Sequence, residues 1–489
     1  MKPPTLRRSL RAAVLAFATL ASAAAMAAPA GAAETGLNVA GFFATPAQNA
    51  KLESLVSELH PGWVRVFLNW DQIEPAAGSY NASQLADYKA FFAALPTGTK
   101  VDIDVVGSPA WANGGSSNTA TPPASNQSFA AFMNYLANTF GTSVTAYEIW
   151  NEPDDPSWWS GSPAQYASLL KAAYGAIKAA NPNAMVILGG LTANDSPYLQ
   201  QLYSDGAGGS FDAVGDHTDD ACSTTSPYAF AFDPGSDDIN RWSFLGFSTV
   251  HSVMAANGDG AKPIYLTEFG WSTTTATCDS GASSGKKVGG VSEKTQALYL
   301  QQSYHCLAQP QYSYVAAAMW FDMVDFAPQN NIFDRYGLLS TSLQAKPSFA
   351  AFAKEASGDP LSGSCGNFAG PTLHLENPRN GEHYSGRLML SVTATVNGKA
   401  PGDKISQIAL QEDGKTILNF NRIDAHYADG QLSGAINWEG ARSLAPGPHT
   451  ITAVATNANG VKSTVTVTVI HVLTHRKRQT HKKRAQRHR

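Results

Sequence analysis

Between residue 36 and about residue 358, short apolar runs alternate eight times with segments of helical period. The runs are "GLNVAGFF" (36–43), "WVRVFLNW" (63–70), "KVDIDVVG" (100–107), "VTAYEIWN" (144–151), "MVILGGL" (185–191), "AVGDHT" (213–218), "PIYLTEFGW" (263–271) and "VAAAMWFDM" (315–323). Amphipathic stretches such as "QNAKLESLVSELH" and "AQYASLLKAAYGAIKAANP" lie between them. Strands alternating with helices build βαβ units, and these build parallel sheets. Eight units over about 320 residues fit one closed (β/α)8 TIM barrel of the α/β class, spanning residues 34–358. An open doubly wound sheet is the competing arrangement, but no glycine-rich phosphate loop follows the first run.

The pattern changes near residue 358. "SGDPLSGSCGNFAGP" has the Gly, Ser and Pro content of a linker, placed at 359–370. Beyond it the helical period is lost. "RLMLSVTATV", "KISQIALQ" and "HTITAVATNANGVKSTVTVTVIHV" alternate with period two and are rich in Val, Thr and Ile. This predicts a small all-β sandwich over residues 371–472.

The two ends of the chain differ from its body. Arg7, Arg8 and Arg11 precede "AAVLAFATLASAAAMAA", followed by small residues. This is the pattern of a secretory signal peptide, residues 1–33, with cleavage expected between Ala27 and Ala33. Export implies an extracellular location. No later run of about 18 apolar residues suggests a membrane span. The last stretch, "HRKRQTHKKRAQRHR", is strongly basic and free of acids. Setting aside the twelve Lys/Arg of the two ends leaves 22 bases against 38 acids, a body charge of −16 beneath a net −4. Residues 473–489 read as a disordered basic tail, either merely solubilising or an electrostatic contact to an anionic cell surface. Nucleic acid is a poor partner for the acidic body. A monomer is expected.

The chemistry is sought at the C-terminal ends of the strands, where barrels of this kind place it. The second run delivers Arg65, then Asn69 and Trp70; the third leads to Trp111 in "GSPAW". The fourth ends in Asn151 and Glu152, followed by Trp158 and Trp159. The sixth ends in His217, then Asp219 and Asp220. The seventh gives Glu268 and Trp271, and the eighth Trp320. Two carboxyl groups across a cavity are the minimum equipment for cleaving a glycosidic bond: one protonates the leaving oxygen, the other attacks the anomeric carbon or activates water. Tryptophans supply flat faces for sugar rings.

"WNEP" ending a fourth strand and "LTEFGW" ending a seventh, 116 residues apart, resemble the retaining glycoside hydrolases of clan A. With "GSPAW", the likeness is to the cellulase family 5 and family 39 types, over residues 36–358. It implies Glu152 as acid/base and Glu268 as nucleophile, acting on a β-linked poly- or oligosaccharide. It also implies Asn151 on the substrate 2-hydroxyl, Arg65 on the nucleophile and Trp320 flooring the cleavage subsite. Trp111, Trp158 and Trp271 are further substrate-binding candidates. No cofactor and no metal are implied. His217 matches a strand-six histidine, but Asp219 stands where such members carry a tyrosine. "NPRNG", "EDGKT" and "LAPGPHTITAVATNANG" resemble bacterial immunoglobulin-like modules.

Bland readings compete with these. Arg65 can be a structural ion-pair partner, and Trp158 and Trp159 can pack a loop. Asp102 and Asp104 share one side of a strand and suit polar barrel filling or a substrate contact. Asp216, Asp219 and Asp220 suit a solvated loop or, less often, calcium. A non-catalytic carbohydrate-binding protein and a transglycosylase are the alternatives to hydrolysis. Four cysteines allow three pairings. Loops after neighbouring strands lie side by side, which favours Cys222–Cys278, leaving Cys306–Cys365 on the outer wall.

Overall fold

The computed structural model describes residues 32–39, 45–218, 222–230, 233, 238–278, 284–326, 331–358, 365, 371–396, 405–421, 426–428, 430–457 and 462–473. Residues 1–31 of the N-terminal stretch, the linker residues 359–364 and 366–370, residues 474–489 of the basic stretch, and Asp219 and Asp220 lie outside these residues.

The strands β1 (Glu34–Val39), β2 (Trp63–Asn69), β3 (Lys100–Val106), β4 (Ala146–Ile149), β5 (Met185–Leu191), β6 (Ala213–His217), β7 (Ile264–Phe269) and β8 (Val315–Trp320) close into a barrel in chain order. All neighbours are parallel, and β8 returns to β1. Such strands are buried on both faces, which is why they read as apolar runs. Helices between them start where the sequence signals it. Ser162 closes a capping box with Gln165 ahead of the helix Pro163–Ala180, with Pro163 in its first turn. Ser125 and Ser292 cap the helices Asn126–Phe140 and Glu293–Leu307.

One part of the barrel interior is filled by Trp63, Ala146, Ile187, Ala213, Tyr265, Ala317 and Met319. Elsewhere the interior turns polar. Parallel register sets Arg65 beside Asp102, and Asp104 beside Glu148. The seventh strand departs from simple alternation. Its register slips against β6 between Asp216 and His217, and against β8 between Leu266 and Phe269. Consecutive residues normally point to opposite faces. Here Thr267 bonds a buried interior carboxylate while Glu268 reaches the cavity, as a bulge allows.

The disulfides are Cys222–Cys278 and Cys306–Cys365, with Cα separations of 5.8 and 4.6 Å. The first packs with Ile332, joining the loops after β6, β7 and β8.

The C-terminal region forms two sheets. One has the order β10 (Glu382–Tyr384), β17 (Lys462–His471), β16 (Gly447–Asn457), β12 (Ile405–Glu412), β13 (Lys415–Asn421). The other runs β14 (His426–Ala428), β15 (Gln431–Trp438), β11 (Leu388–Thr395), β9 (Thr372–Asn377). Leu390, Val392, Ile408, Leu410, Ile451 and Ala453 share one core with a buried residue at every second position. The pairing is antiparallel except for β10 beside β17. This is a β-sandwich compatible with an immunoglobulin-like module. Among the described residues, no helix is long and apolar enough to cross a membrane.

Candidate active site

After Ile149 the chain turns sharply. Trp150 and Glu152 take left-handed backbone conformations, with φ of 72° and 41°. Such φ values are uncommon for residues other than glycine. The neighbouring strand leaves room for the turn: a Cβ on Gly189 would stand 2.0 Å from the Trp150 carbonyl oxygen. Trp150 is fully buried and donates from Nε1 to the Trp158 carbonyl at 2.7 Å. Trp159 packs edge-on against it. Two of the three tryptophans in this stretch therefore brace the loop, and the third, Trp158, faces a cavity.

That cavity has a volume of about 620 Å³ and holds both Glu152 and Glu268, with Asn69, Asn151 and Asp155. Carboxylate oxygens of Glu152 and Glu268 lie within 4.8 Å of one another, with a His217 ring nitrogen. His217 Nδ1 is 2.9 Å from Glu152 Oε1, and its Nε2 is 3.8 Å from Glu268 Oε1. Gly190 makes space for the ring, since a Cβ there would approach Nε2 to 2.1 Å.

The two glutamates stand in different surroundings. Arg65, fully buried, donates from Nη1 to Glu268 Oε1 at 2.6 Å. Glu152 meets the His217 ring and Trp158 instead of a guanidinium. Burial, then the charge of Asp155, pushes its carboxyl up to about 7 against the weaker opposing pull of Arg65. Asn151 accepts from Arg65 Nη2 through Oδ1 at 2.9 Å, which fixes its carboxamide.

Aromatic side chains form much of the wall. Phe67 and Trp158 stack at 5.8 Å, and Phe67 covers the Arg65 guanidinium. Phe321, Tyr336, Phe326, Phe333 and Trp242 complete it, the last two 60% and 54% exposed. Thr192 and Ala193 also line the cavity. Asp154 accepts from the Thr192 backbone N–H and hydroxyl, and Arg241 bonds the carbonyls of both residues.

Several expected substrate contacts lie elsewhere. Trp320 is fully buried, donates to the Tyr336 carbonyl and packs edge-on against Phe269. The next residue, Phe321, points the opposite way and lines the cavity. Trp271 is buried and bonds the Thr225 carbonyl. Trp111 packs on Trp70 and bonds the Glu74 carbonyl. None of these three tryptophans lines the cavity. Asp216, grouped above with solvated acids, is fully buried in β6, and burial holds its carboxyl well above the usual range. Asp102 and Asp104 are also fully buried and are raised for the same reason.

A grouping that by composition could take a metal ion lies on the sandwich. There His449 Nδ1 faces Glu412 and Asp413 at 3.1 and 2.9 Å. Nε2 faces the Ala445 carbonyl at 2.8 Å. That contact and the acids raise the imidazole pKa, so a protonated ring can itself bridge the two carboxylates.

Residues 28–320 match the cellulase family, glycosyl hydrolase family 5. The chain belongs to that family. It is a glycoside hydrolase, and the reading as a non-catalytic binding protein is set aside. Its fold is similar to a family 39 glycoside hydrolase from the gut symbiont Bacteroides cellulosilyticus. The two share 18% identity and a TM-score of 0.53, over 83% of this chain and 80% of that one. An endo-β-1,4-mannanase from Thermotoga petrophila aligns at 12% identity and a TM-score of 0.44, over 90% and 98% of the two chains. An exo-β-1,4-mannosidase from an Opitutaceae bacterium aligns at 18% and 0.46, over 67% and 59%. No curated protein matches the sequence.

Proposed function

We propose that this enzyme cleaves β-linked oligo- or polysaccharides with retention of configuration, using Glu268 as nucleophile and Glu152 as acid/base. The observation that carries the reading is the contrast between two neighbouring carboxyls. One is held by a buried guanidinium; the other is raised to about 7 by burial. Pairs whose surroundings push them apart divide into acid and base roles. An approach within 4.8 Å supports retention, because inverting pairs stand roughly 6.5–9.5 Å apart to admit a water.

In the first step Glu268 bonds to the anomeric carbon while Glu152 gives its proton to the departing glycosidic oxygen. In the second, Glu152 takes a proton from water, the hydroxyl attacks the anomeric carbon, and Glu268 leaves as carboxylate. Asn151, anchored through its oxygen, keeps its NH₂ for a substrate hydroxyl. Trp158, Phe67 and Phe321 offer flat apolar faces to sugar rings.

The reading extends to the chain's ends. Residues 1–33 serve as an export signal, 359–370 as a linker, 371–472 as an immunoglobulin-like module and 473–489 as a basic tail that solubilises the chain or contacts an anionic cell surface. Composition and the two disulfides support export.

Glu268→Gln should abolish turnover of every substrate. Glu152→Gln should lose roughly 10²–10⁴-fold on sugars with poor leaving groups, the usual worth of acid catalysis, yet spare nitrophenolate-type leaving groups. Equal loss on both classes would remove the acid/base assignment.

A further inference from the structure

Arg65 has five N–H donors, and each meets an acceptor. Nε reaches Glu148 Oε2 at 2.5 Å. Nη1 reaches Asn38 Oδ1 at 2.9 Å and Glu268 Oε1 at 2.6 Å. Nη2 reaches Asp104 Oδ2 and Asn151 Oδ1, both at 2.9 Å. Glu148 alone holds the Nε edge and so sets how the planar group is turned. It is itself clamped: Oε1 accepts from the Gly190 backbone N–H at 2.7 Å and from Thr267 Oγ1 at 3.0 Å. These contacts tie β4 to β2, β5 and β7. Both oxygens accept and neither donates, the pattern of an ionised carboxylate. Glu148 is fully buried and does not line the cavity.

We propose that Glu148 is a positioning residue, which fixes the Arg65 guanidinium in the orientation that presents Nη1 to Glu268. The inference rests on the roles assigned above to Glu152 and Glu268.

The groups facing Glu148 decide how its charge is felt. Arg65 comes from β2, Asp102 and Asp104 from β3, Glu268 from β7, and Tyr166 from the helix after β4. Glu152 and His217 sit above, at the barrel mouth. Burial raises Asp102, Asp104 and Tyr166, while Arg65 pulls the two aspartates the other way. Glu148 pairs with Arg65 along its Nε edge. Its charge is also among those that raise Glu152, after burial and Asp155.

Two variants separate position from charge. Glu148→Gln removes the charge and sets a donor NH₂ within reach of a donor. Glu148→Asp keeps the charge but is one methylene too short for Nε. In both, kcat should fall roughly ten- to hundredfold, as for small misplacements of a catalytic group, with KM within about twofold. The alkaline limb of the kcat/KM profile should move to lower pH in Glu148→Gln and stay in place in Glu148→Asp. Wild-type kcat in either folded variant overturns the proposal. So does a loss of kcat in both with the Glu148→Gln limb unmoved, which is what mere structural damage gives. If Glu148→Gln does not fold, Glu148→Asp decides by its kcat-against-KM split: a fall in kcat with KM within about twofold supports the proposal, and an unchanged kcat or a matching rise in KM overturns it. Glu268→Gln retaining turnover would instead sink the reading of the site, whatever the Glu148 variants do.

Discussion

Replacing Arg65 by lysine keeps the positive charge and removes the fork. Five acceptors meet the guanidinium in the folded protein. An ammonium has three N–H groups, so at least two acceptors lose their partner. Arg65 is fully buried, and so are Asn38, Asp104, Glu148 and Asn151 or very nearly so. Each stranded buried acceptor costs about 1–3 kcal/mol, which gives about 2–6 kcal/mol for the substitution. At about 2.1 cal/mol/K of unfolding entropy per residue over a barrel of about 325 residues, each kcal/mol lowers the melting temperature by roughly 1.5 °C, so Arg65→Lys should melt about 3–9 °C lower. The assay is thermal unfolding followed by far-UV circular dichroism, with the urea midpoint as a second measure. A melting temperature within a degree of wild type would refute the reasoning. It would mean that one point charge suffices there, and that the fork geometry carries no stability.

On the proposed roles the acid form of Glu152 is the active one, so the alkaline limb of the free-enzyme pH profile should fall with an apparent pKa of about 7; a flat profile from pH 5 to 9 would contradict this. Gly190→Ala should cost about 1–3 kcal/mol, because the new Cβ falls on the His217 ring. A crystal structure of the variant should show the His217–Glu152 contact broken or β5 displaced, and an unchanged ring would count against the packing argument. Asp216 has a raised folded-state pKa, so whatever stability its protonation confers is present at low pH and lost as pH rises through that value. Asp216→Asn should therefore gain in melting temperature over wild type at pH 8 relative to pH 5; an equal change at both would show that the acid is not held neutral.

The barrel was legible because its strands are buried on both faces, so the apolar runs stand out against amphipathic helices. Both glutamates that meet across the cavity sit in the motifs at the ends of the fourth and seventh runs. The disulfide pairing followed from the adjacency of loops after neighbouring strands. The aromatic wall was harder to see. Trp242, Phe326 and Phe333 come from long loops, which have no period to read. Phe67 was within reach, since it lies two residues after Arg65 on the same face of one strand. Trp320 was mistaken for the wall because Phe321, one residue on, faces the other way. The slip in β7 that lets Thr267 and Glu268 both face inward left no trace in the sequence. Glu148 did leave one, as a lone charge inside the apolar run "AYEIW".

The central claim is that Glu268 bonds to the sugar. It is tested by incubating the wild-type protein with a panel of 2-deoxy-2-fluoro β-glycosides carrying good leaving groups, then digesting it and sequencing the labelled peptide by mass spectrometry. The account predicts one added glycosyl mass, carried on Glu268 and absent from Glu268→Gln. A label on Glu152 would contradict it, as would turnover of the parent glycosides to products of inverted configuration.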